Sequence, residues 1–413
     1  MEAKFKRLKL ACYATNVTMS VVGNLSPLLF LTFHDRYQIS YSLLGLLVLI
    51  NFCTQLSVDL IFSFFSHKFN IARTVKMTPV IAVIGLAVYG ILPMIFTSQP
   101  YVGIVIGTVI FSASSGLAEV LISPVIAAIP AKDPDREMSK LHSVYAWGVV
   151  GVVILATVGL LLMDASFWPV LPLVFALVPL FAAVMFSRVE IPGMETPEKT
   201  SGALQLLKNK GIWLSVVGIF LGGAAECTMA QWASGYLEQS LGIPKIYGDL
   251  FGVAMFAMML GLGRSLYGKM GKNVERVLLL GGIGAAVCYL LAALTPFPLI
   301  GLLACGFTGF CTSMLWPGNL VVASSRFPTG GVFIFALMAA GGDLGASVVP
   351  QAVGIVTDLT VAHPEAVAFA ETLSLTPDQL GMKLGMLVGA LFPLISIPVY
   401  MAIFRGKKKY ETQ

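Results

Sequence analysis

Charged residues are scarce in this chain, and their scarcity argues against an ordinary soluble domain. Only 11% of the 413 residues are Asp, Glu, Lys or Arg, whereas 57% are hydrophobic, and the mean hydropathy is +0.86. A soluble domain carries about 25% charged residues. The sequence therefore predicts a membrane protein whose apolar residues are spread along its whole length.

Motifs of metal binding, catalysis and secretion are also missing. The six cysteines form no C-x-x-C pair and lie in or beside apolar segments, so neither a metal site nor a disulfide framework is expected. The sequence has no H-E-x-x-H, and residues 263–272 lack the spacing of a phosphate-binding loop. No cleavable signal peptide is expected either. We therefore expect neither an enzyme nor a bound cofactor.

Long apolar runs are the main feature that the sequence does have. A helix needs about 20 apolar residues to cross a hydrocarbon core roughly 30 Å thick, whereas the strands of a membrane barrel are about ten residues long and alternate in polarity. Helices are therefore predicted. We number the predicted spans 1 to 12 in chain order: 10–33, 41–66, 76–97, 101–130, 140–163, 167–187, 212–241, 247–268, 276–295, 298–325, 330–359 and 382–404.

A polar stretch at residues 188–211 separates span 6 from span 7. It predicts a cytoplasmic linker between an N-terminal six-helix bundle, residues 1–187, and a C-terminal six-helix bundle, residues 212–413. The fold class that follows is an all-α membrane protein with twelve transmembrane helices.

The basic residues predict the orientation of these spans. With both termini in the cytoplasm, all but three of the 26 Lys and Arg residues fall on the inner side, and the exceptions are Arg36, Lys245 and Lys383. Inner loops of membrane proteins are enriched in Lys and Arg. This bias explains the net charge of +5 without a nucleic-acid partner. We expect a multi-pass protein of the plasma membrane with both termini in the cytoplasm.

Four acidic residues lie deep within apolar spans: Asp59, Glu119, Glu226 and Asp343. A charge at the centre of a membrane helix costs about 2.5–3.5 kcal/mol on insertion scales. These acids must therefore face protein or water, be paired, or be protonated. For Glu119 and Glu226 we expect a role in substrate binding and proton coupling, and the alternative is a structural hydrogen bond.

Polar or small residues recur at helical spacing on spans 1, 4, 7 and 10. Carboxylates and amides suit a hydroxylated ligand, and aromatic rings can stack on the apolar face of a sugar. The candidate substrate-binding residues on or beside these stripes are Asn16, Asn24, Glu119, Ser123, Glu226, Gln231, Trp232, Thr312, Trp316 and Asn319. Helix packing is the alternative for the small residues. Trp232 can share a ligand with Glu226 only if span 7 bends, for example at Gly235.

Spans 2 and 11 carry candidate gating residues. Asp59 lies near the predicted cytoplasmic end of span 2, and we predict a gating role for it with Arg73 or Arg264 as its partner. Asp343, in the stretch A-A-G-G-D-L-G-A-S, has glycines nearby that permit another helix to approach closely. We group Asp343 with the gating residues, and its partner stays open.

Two six-helix halves with both termini inside resemble the major facilitator superfamily. That family keeps a signature of the form G-x-x-x-D-R-x-G-R-R after spans 2 and 8. Here the second copy keeps Gly271 and Lys272 but lacks the acid, and the first keeps Lys68 and Arg73 but lacks both the acid and the glycine. The resemblance implies two pseudo-symmetric bundles, a central cavity lined by spans 1, 4, 7 and 10, substrate sites near the midplane and a monomer.

Three stretches resemble the fucose–galactose–hexose proton symporters of that superfamily. Glu119 and Pro124 have the spacing of the group's L-E-T-A-A-N-P pattern, S-M-L-W-P in span 10 is similar to S-x-x-F-P with Trp316 for Phe, and L-H-S-V-Y-A-W-G opens span 5 much as L-H-S-F-x-x-x-G does. Asn24 stands nearest the position of the group's Asp in span 1, and a neutral amide carries no proton. Either Glu119 and Glu226 share the coupling, or transport is coupled differently.

These observations predict a secondary active transporter. We expect proton-coupled symport of a small polar solute such as a sugar, by alternating access, with the solute, protons and the lipid bilayer as its partners. A carboxyl group held away from water and from cations favours its protonated form, which suits Glu119 to proton coupling. The alternative is a proton-driven exporter of amphipathic or cationic compounds, because acids and aromatic rings also suit cations.

Overall fold

The computed structural model describes residues 2–65, 68–130, 134–192, 207–270, 273–327 and 331–410. Within these residues every regular element is a helix. Eleven helices are long and apolar enough to cross a membrane, and a bent pair, Phe5–Leu28 with Phe30–Tyr37, makes up to twelve. The prediction of an all-α membrane protein is therefore confirmed.

The helices follow the predicted spans, and we keep the span numbers for them. A short helix, Pro364–Thr372, lies between spans 11 and 12. The helices of the spans are Glu2–Leu28 and Phe30–Tyr37 (span 1), Tyr41–Phe65 (span 2), Ile71–Ile95 (span 3), Pro100–Ala127 (span 4), Pro134–Leu162 (span 5), Val170–Phe175 and Leu177–Ser187 (span 6), Lys210–Leu241 (span 7), Lys245–Tyr247, Gly248–Ala254 and Met255–Met270 (span 8), Val274–Leu294 (span 9), Pro298–Thr312 and Pro317–Arg326 (span 10), Gly331–Ala362 (span 11) and Pro377–Tyr410 (span 12).

Two of the spans bend or break close to a proline. Span 1 bends by 42° where its two helices meet, shortly after Pro27. Span 10 stops at Thr312 and restarts at Pro317. At span 10 the cause is Pro317, which has no N–H to donate to the carbonyl four residues earlier. The bend of span 1 lies two residues after Pro27.

Contacts between Cα atoms divide the chain into two compact units. Unit 1 comprises Met1–Thr32 and Ile50–Lys199, and unit 2 comprises Phe33–Leu49 and Thr200–Gln413. The end of span 1 and the start of span 2 therefore group with the C-terminal spans. The sequence predicted a simple division at residues 188–211 and did not predict that residues 33–49 would group with unit 2. Residues 193–206 of the predicted linker lie outside the described residues.

Five pairs of packed spans recur in the two units. In unit 1, span 1 packs on spans 4, 5 and 6, and span 3 packs on spans 4 and 6. In unit 2, span 7 packs on spans 10, 11 and 12, and span 9 packs on spans 10 and 12. Adding six to each span number of unit 1 gives the pairs of unit 2. This is the pattern expected of two parallel repeats in one chain.

Each unit also has its own apolar core. Val75, Leu117 and Phe186 belong to a buried cluster of unit 1, whereas Ile219 and Met338 belong to one of unit 2. Many other large apolar side chains are exposed on the helices. Soluble proteins rarely expose contiguous apolar surface on this scale, so these side chains are suited to contact with lipid.

Candidate functional site

Polar contacts join spans 2 and 4 in unit 1. The Oδ1 atom of Asn51 accepts hydrogen bonds from Ser112 Oγ at 2.5 Å and from Gln55 Nε2 at 3.2 Å. One turn further along, Gly116 lets the two helices approach closely, because a Cβ atom there would lie only 3.0 Å from the Gln55 carbonyl oxygen. We call these contacts the span 2–span 4 ladder. They fix which residues of the two helices face each other.

The next turn of the ladder brings Asp59 and Glu119 together. The two carboxyl groups lie close enough to repel each other when both are charged. Asp59 Oδ1 is buried without a hydrogen-bond partner, whereas the Glu119 side chain is accessible. Within the described part of the chain, the ion pairs involve neither residue. The two acids of unit 1 are therefore neighbours of like charge.

Unit 2 contains an acid of the opposite kind, because Glu226 has a cationic partner. Arg264 Nη2 lies 3.1 Å from Glu226 Oε1 and 3.5 Å from Oε2. The Glu226 side chain is 13% exposed and that of Arg264 is 39% exposed. The pair therefore places a largely buried carboxylate against a guanidinium that remains accessible on one side.

Arg264 also binds the break in span 10. Its Nε donates a hydrogen bond of 3.0 Å to the carbonyl oxygen of Ser313. In a continuous helix the N–H four residues later would serve that oxygen, but residue 317 is proline and has none. Gly263 permits the close approach of span 8, because a Cβ atom at Gly263 would overlap Ser313 Oγ. One guanidinium thus connects spans 7, 8 and 10.

The ion pairs that the sequence suggested for Asp59 differ from those in the structure. Arg264 was a candidate partner, but it binds Glu226 on the neighbouring span 7 of its own unit. Arg73, the other candidate, has an exposed side chain at the start of span 3, where Asn70 caps its backbone N–H. The charged neighbour that the structure gives Asp59 is Glu119. The gating roles themselves stay predictions.

The polar stripe of span 1 packs against span 5. Asn16 Nδ2 donates to the Leu141 carbonyl oxygen at 2.6 Å, and Ser20 Oγ donates to that of Tyr145 at 2.8 Å. Asn24 Nδ2 bonds back to the Ser20 carbonyl at 2.9 Å. Asn16, Ser20 and Asn24 are buried. Their contacts hold two helices together, and a role in substrate binding stays a prediction.

Candidates on span 10 likewise make contacts within unit 2. Asn319 Nδ2 donates to the Tyr400 hydroxyl at 3.2 Å, and that hydroxyl donates to the Gly218 carbonyl at 2.8 Å, which links spans 10, 12 and 7. Thr312 Oγ1 bonds back to the Thr308 carbonyl at 3.0 Å. These buried groups stabilise helix packing.

The two tryptophan candidates lie in different surroundings. Trp232 is buried, and its Nε1 donates to the Pro350 carbonyl of span 11 at 2.9 Å. Span 7 is one continuous helix through Gly235, and a shared ligand of Trp232 and Glu226 stays a prediction. Trp316 is half-buried and packs on Gly342, where a Cβ atom would lie 2.6 Å from its ring.

Three further candidates are placed without an assigned ligand contact. Gln231 and Asp343 are buried in unit 2, and Asp343 directly follows the glycine on which Trp316 packs. Ser123 is half-buried, one turn beyond Glu119 on span 4. The side chain of His142, in the stretch that opens span 5, lies outside the part of the chain that the structure describes, as do His67 and Lys272.

Sequence reasoning missed a set of contacts at the predicted outer end of unit 2. Asp358, near the end of span 11, accepts hydrogen bonds from the first residues of span 2. Asp249 is fully buried beside Lys245 at 3.1 Å, within the π-helical turn Gly248–Ala254. The sequence did contain signals for these contacts. Asp358 lies within one turn of the end of span 11 and near two threonines, and Asp249 lies near the start of span 8, four residues after Lys245.

Comparison with known proteins agrees with this architecture. The chain matches the family model of the Major Facilitator Superfamily over residues 11–350. A direct comparison with curated protein sequences gives no match.

Solved transporter structures share the fold. A bacterial homologue of the human lysosomal transporter Spinster has 11% identity and a TM-score of 0.73, with 97% of each chain covered. A D-xylose–proton symporter has 16% identity and a TM-score of 0.73, covering 95% of this chain and 97% of its own. The nucleoside transporter NupG has 13% identity and a TM-score of 0.68, covering 98% and 99%.

Two repeated helical units and buried charged groups within their spans define a multi-pass membrane transporter. The family match over most of the length makes the assignment specific: the chain belongs to the Major Facilitator Superfamily. Transporters of this kind bind small-molecule solutes.

Proposed function

We propose that this transporter couples the movement of a small polar solute, such as a sugar, to that of a proton by alternating access. The observation that supports the proposal best is the pairing of Asp59 with Glu119 in unit 1. Neither carboxyl takes part in the ion pairs of the described residues. The finer grouping with fucose–galactose–hexose symporters remains part of this proposal.

The proton is held by the carboxyl pair and exchanged through Glu119. Glu119 is the accessible member, whereas Asp59 Oδ1 is buried without a hydrogen-bond partner. The span 2–span 4 ladder keeps the two carboxyl groups opposite each other. One bound proton removes their repulsion, and its release restores an acceptor that can bind solute hydroxyl groups. Protonation and solute binding at Glu119 are thereby linked.

Glu226 has a different role in this proposal. A guanidinium at 3.1 Å from one carboxylate oxygen and 3.5 Å from the other commits Glu226 to an ion pair, whereas Asp59 and Glu119 take part in none of those among the described residues. We therefore assign proton coupling to Glu119 with Asp59, and we assign Glu226 to holding Arg264 at the break in span 10. The sequence prediction was that Glu119 and Glu226 share the proton coupling, or that transport is coupled differently. The present proposal differs, because it replaces Glu226 with Asp59 as the partner of Glu119.

The solute class and the location draw on other observations. Two of the similar structures are named for polar solutes, namely a D-xylose–proton symporter and a nucleoside transporter. The distribution of Lys and Arg supports cytoplasmic termini. We also propose a location in the plasma membrane. We further propose that one chain is the transporting unit, because each chain carries both repeats.

Uptake into proteoliposomes tests the proposal. A thermal-shift screen of sugars, sugar acids and organic cations first identifies a stabilising solute, with D-xylose as the initial probe. Glu119→Gln should lower accumulation driven by an inward proton gradient at least about tenfold, because an amide cannot release a proton. Solute counterflow, which needs no net proton movement, should remain.

The matched control is Glu365→Gln, which makes the same chemical change at an exposed residue of the short helix Pro364–Thr372. It should accumulate solute as the unmodified protein does. Undiminished accumulation in Glu119→Gln would rule out the assigned carrier.

Export of organic cations is the second candidate. The accessible carboxyl of Glu119, which has no cationic partner among the described residues, favours it, because it could attract a cation directly. Expression in a drug-sensitive host separates the two functions. Raised resistance to lipophilic cations without sugar accumulation would favour export.

A further inference from the structure

Span 2 is a single helix that belongs to both units. Its first residues, up to Leu49, group with unit 2, and the rest, from Ile50, groups with unit 1. A continuous helix is stiff, so the contacts that hold its start within unit 2 determine how readily that start can leave. These contacts are independent of the identity of the solute.

The strongest of these contacts involves a carboxylate of span 11. Asp358 Oδ1 accepts the backbone N–H of Tyr41 at 2.9 Å, and Oδ2 accepts that of Ser42 at 2.7 Å and the Ser42 hydroxyl. The first N–H groups of a helix have no partner within it and attract negative charge. Asp358 therefore caps span 2 from another helix.

Close backbone packing accompanies this cap. Gln351 Nε2 donates to the Ser42 carbonyl at 3.0 Å. Gly45 lies against span 11, since a Cβ atom there would be 2.9 Å from the Gln351 Cα, and a Cβ atom at Gly354 would overlap the Tyr41 carbonyl oxygen. Side chains larger than glycine at Gly45 and Gly354 would hold the two helices apart, so these two glycines permit the close contact.

Span 2 also has a cap of its own. Ser40 directly precedes the helix, and its Oγ accepts the N–H of Leu43 at 3.4 Å. If Asp358 were withdrawn, water could serve the N–H groups of Tyr41 and Ser42, and Ser40 would still cap the next turn. The start of span 2 could then leave unit 2 as an intact helix.

We propose that Asp358 is a latch for the start of span 2, and that its hydrogen bonds set how often residues 41–49 separate from span 11. The proposal uses the proposed function only for the alternating-access cycle in which such a separation takes place. A residue with this role acts on the conformational equilibrium and need not touch the solute.

Thiol accessibility tests the latch without solute and without a proton gradient. Val48 is 3% exposed and lies one turn beyond Gly45 on span 2. Val48→Cys is labelled in proteoliposomes with a small membrane-impermeant methanethiosulfonate, and peptide mapping separates it from the native cysteines. Asp358→Ala should raise the labelling rate about tenfold, because charge-assisted hydrogen bonds are lost. Asp358→Asn, which keeps one acceptor oxygen, should give a smaller increase.

Asp378→Asn is the matched control. Asp378 accepts the Tyr41 hydroxyl at 3.1 Å but does not cap the helix, so labelling should change about twofold or less. Buried Cys12 of unit 1 reports general loosening. An unchanged rate at position 48 in Asp358→Ala, or an equal rise at Cys12, would overturn the latch. Neither result depends on whether the protein carries a sugar or a proton.

Discussion

The two units surround their acids with opposite partners. Unit 1 places Asp59 of span 2 beside Glu119 of span 4, whereas unit 2 places Arg264 of span 8 against Glu226 of span 7. Span 2 is the second span of the chain and span 8 is the second of the C-terminal six, and Asp59 and Arg264 both lie near the ends of these spans. Unit 1 thus places two acids beside each other, whereas unit 2 supplies its acid with a cation.

Arg264 and Asp59 have different surroundings because span 10, beside Arg264, is interrupted, whereas span 4, beside Asp59, is continuous. Span 10 is broken by Pro317, and its free Ser313 carbonyl binds Arg264. Span 4, its equivalent, is one helix from Pro100 to Ala127 and offers no such break beside Asp59. Span 4 also contains a proline, Pro124, but its helix continues through that residue. Repeated packing therefore need not repeat chemistry, because a break in one helix exposes a carbonyl oxygen that a side chain can serve.

Removing the arginine should have the largest effect. Arg264→Ala leaves the mostly buried Glu226 carboxylate and the Ser313 carbonyl without their donor, so the free energy of unfolding should fall by about 3 kcal/mol. Reversible unfolding in mixed micelles measures it. Glu226→Gln in the same chain should recover part of the loss, and Arg73→Ala, at an exposed arginine, should cost little. If Arg264→Ala lowers the free energy of unfolding no more than Arg73→Ala does, Arg264 does not stabilise Glu226, and the difference between the two units is lost.

Crowding the break should have the next largest effect. Gly263→Ala puts a methyl group onto Ser313 Oγ and should lower the free energy of unfolding by about 2 kcal/mol. Gly116→Ala, at the corresponding close contact of unit 1, should cost less, since its nearest contact is 3.0 Å. Gly151 has nothing within 4 Å, and Gly151→Ala is the control. Equal losses at positions 263 and 151 would contradict the close approach of spans 8 and 10.

Disrupting the span 2–span 4 ladder should have a moderate effect. Asn51→Ala deprives Ser112 and Gln55 of their shared acceptor and should lower the free energy of unfolding by about 1 kcal/mol. Ser57→Ala removes only an exposed hydroxyl that bonds back to its own helix, so it serves as the control. If both variants unfold alike in the same micelles, the ladder does not position the carboxyl pair.

Neutralising the acid of unit 1 should change stability least. Glu119→Gln removes the repulsion with Asp59 and breaks no ion pair of the described residues, so the free energy of unfolding should stay within about 0.5 kcal/mol or rise. The same unfolding measurement in micelles compares it with Glu226→Gln. That variant loses the ion pair with Arg264 and should be less stable. Destabilisation of Glu119→Gln as large as that of Arg264→Ala would show that Glu119 has a structural partner.

Sequence reasoning predicted the spans because each depends on a local property. About 20 consecutive apolar residues suffice to identify a span, and all twelve predicted spans coincide with helices, if the bent pair at the start of the chain counts as one. The break before Pro317 was not predicted, since span 10 was expected to run without interruption over 298–325, although a proline removes one backbone donor from a helix.

The partners of the charged residues were not predictable, because they depend on packing between distant segments. Glu226 and Arg264 are 38 residues apart, and Asp358 meets Ser42 across 316 residues. Helical spacing shows which face a residue occupies but not which helix covers that face. Asn16 and Asn319 illustrate the limit, because their polar stripes pack against other helices.

The geometry at Arg264 has a consequence for which residues that position can accept. One nitrogen serves a backbone carbonyl and another serves a carboxylate, at angles set by a rigid planar group. Lysine has the same charge but concentrates it at the tip of a flexible stem, so it cannot reach both oxygens in fixed directions. Retention of arginine at this position is therefore a requirement of shape as much as of charge.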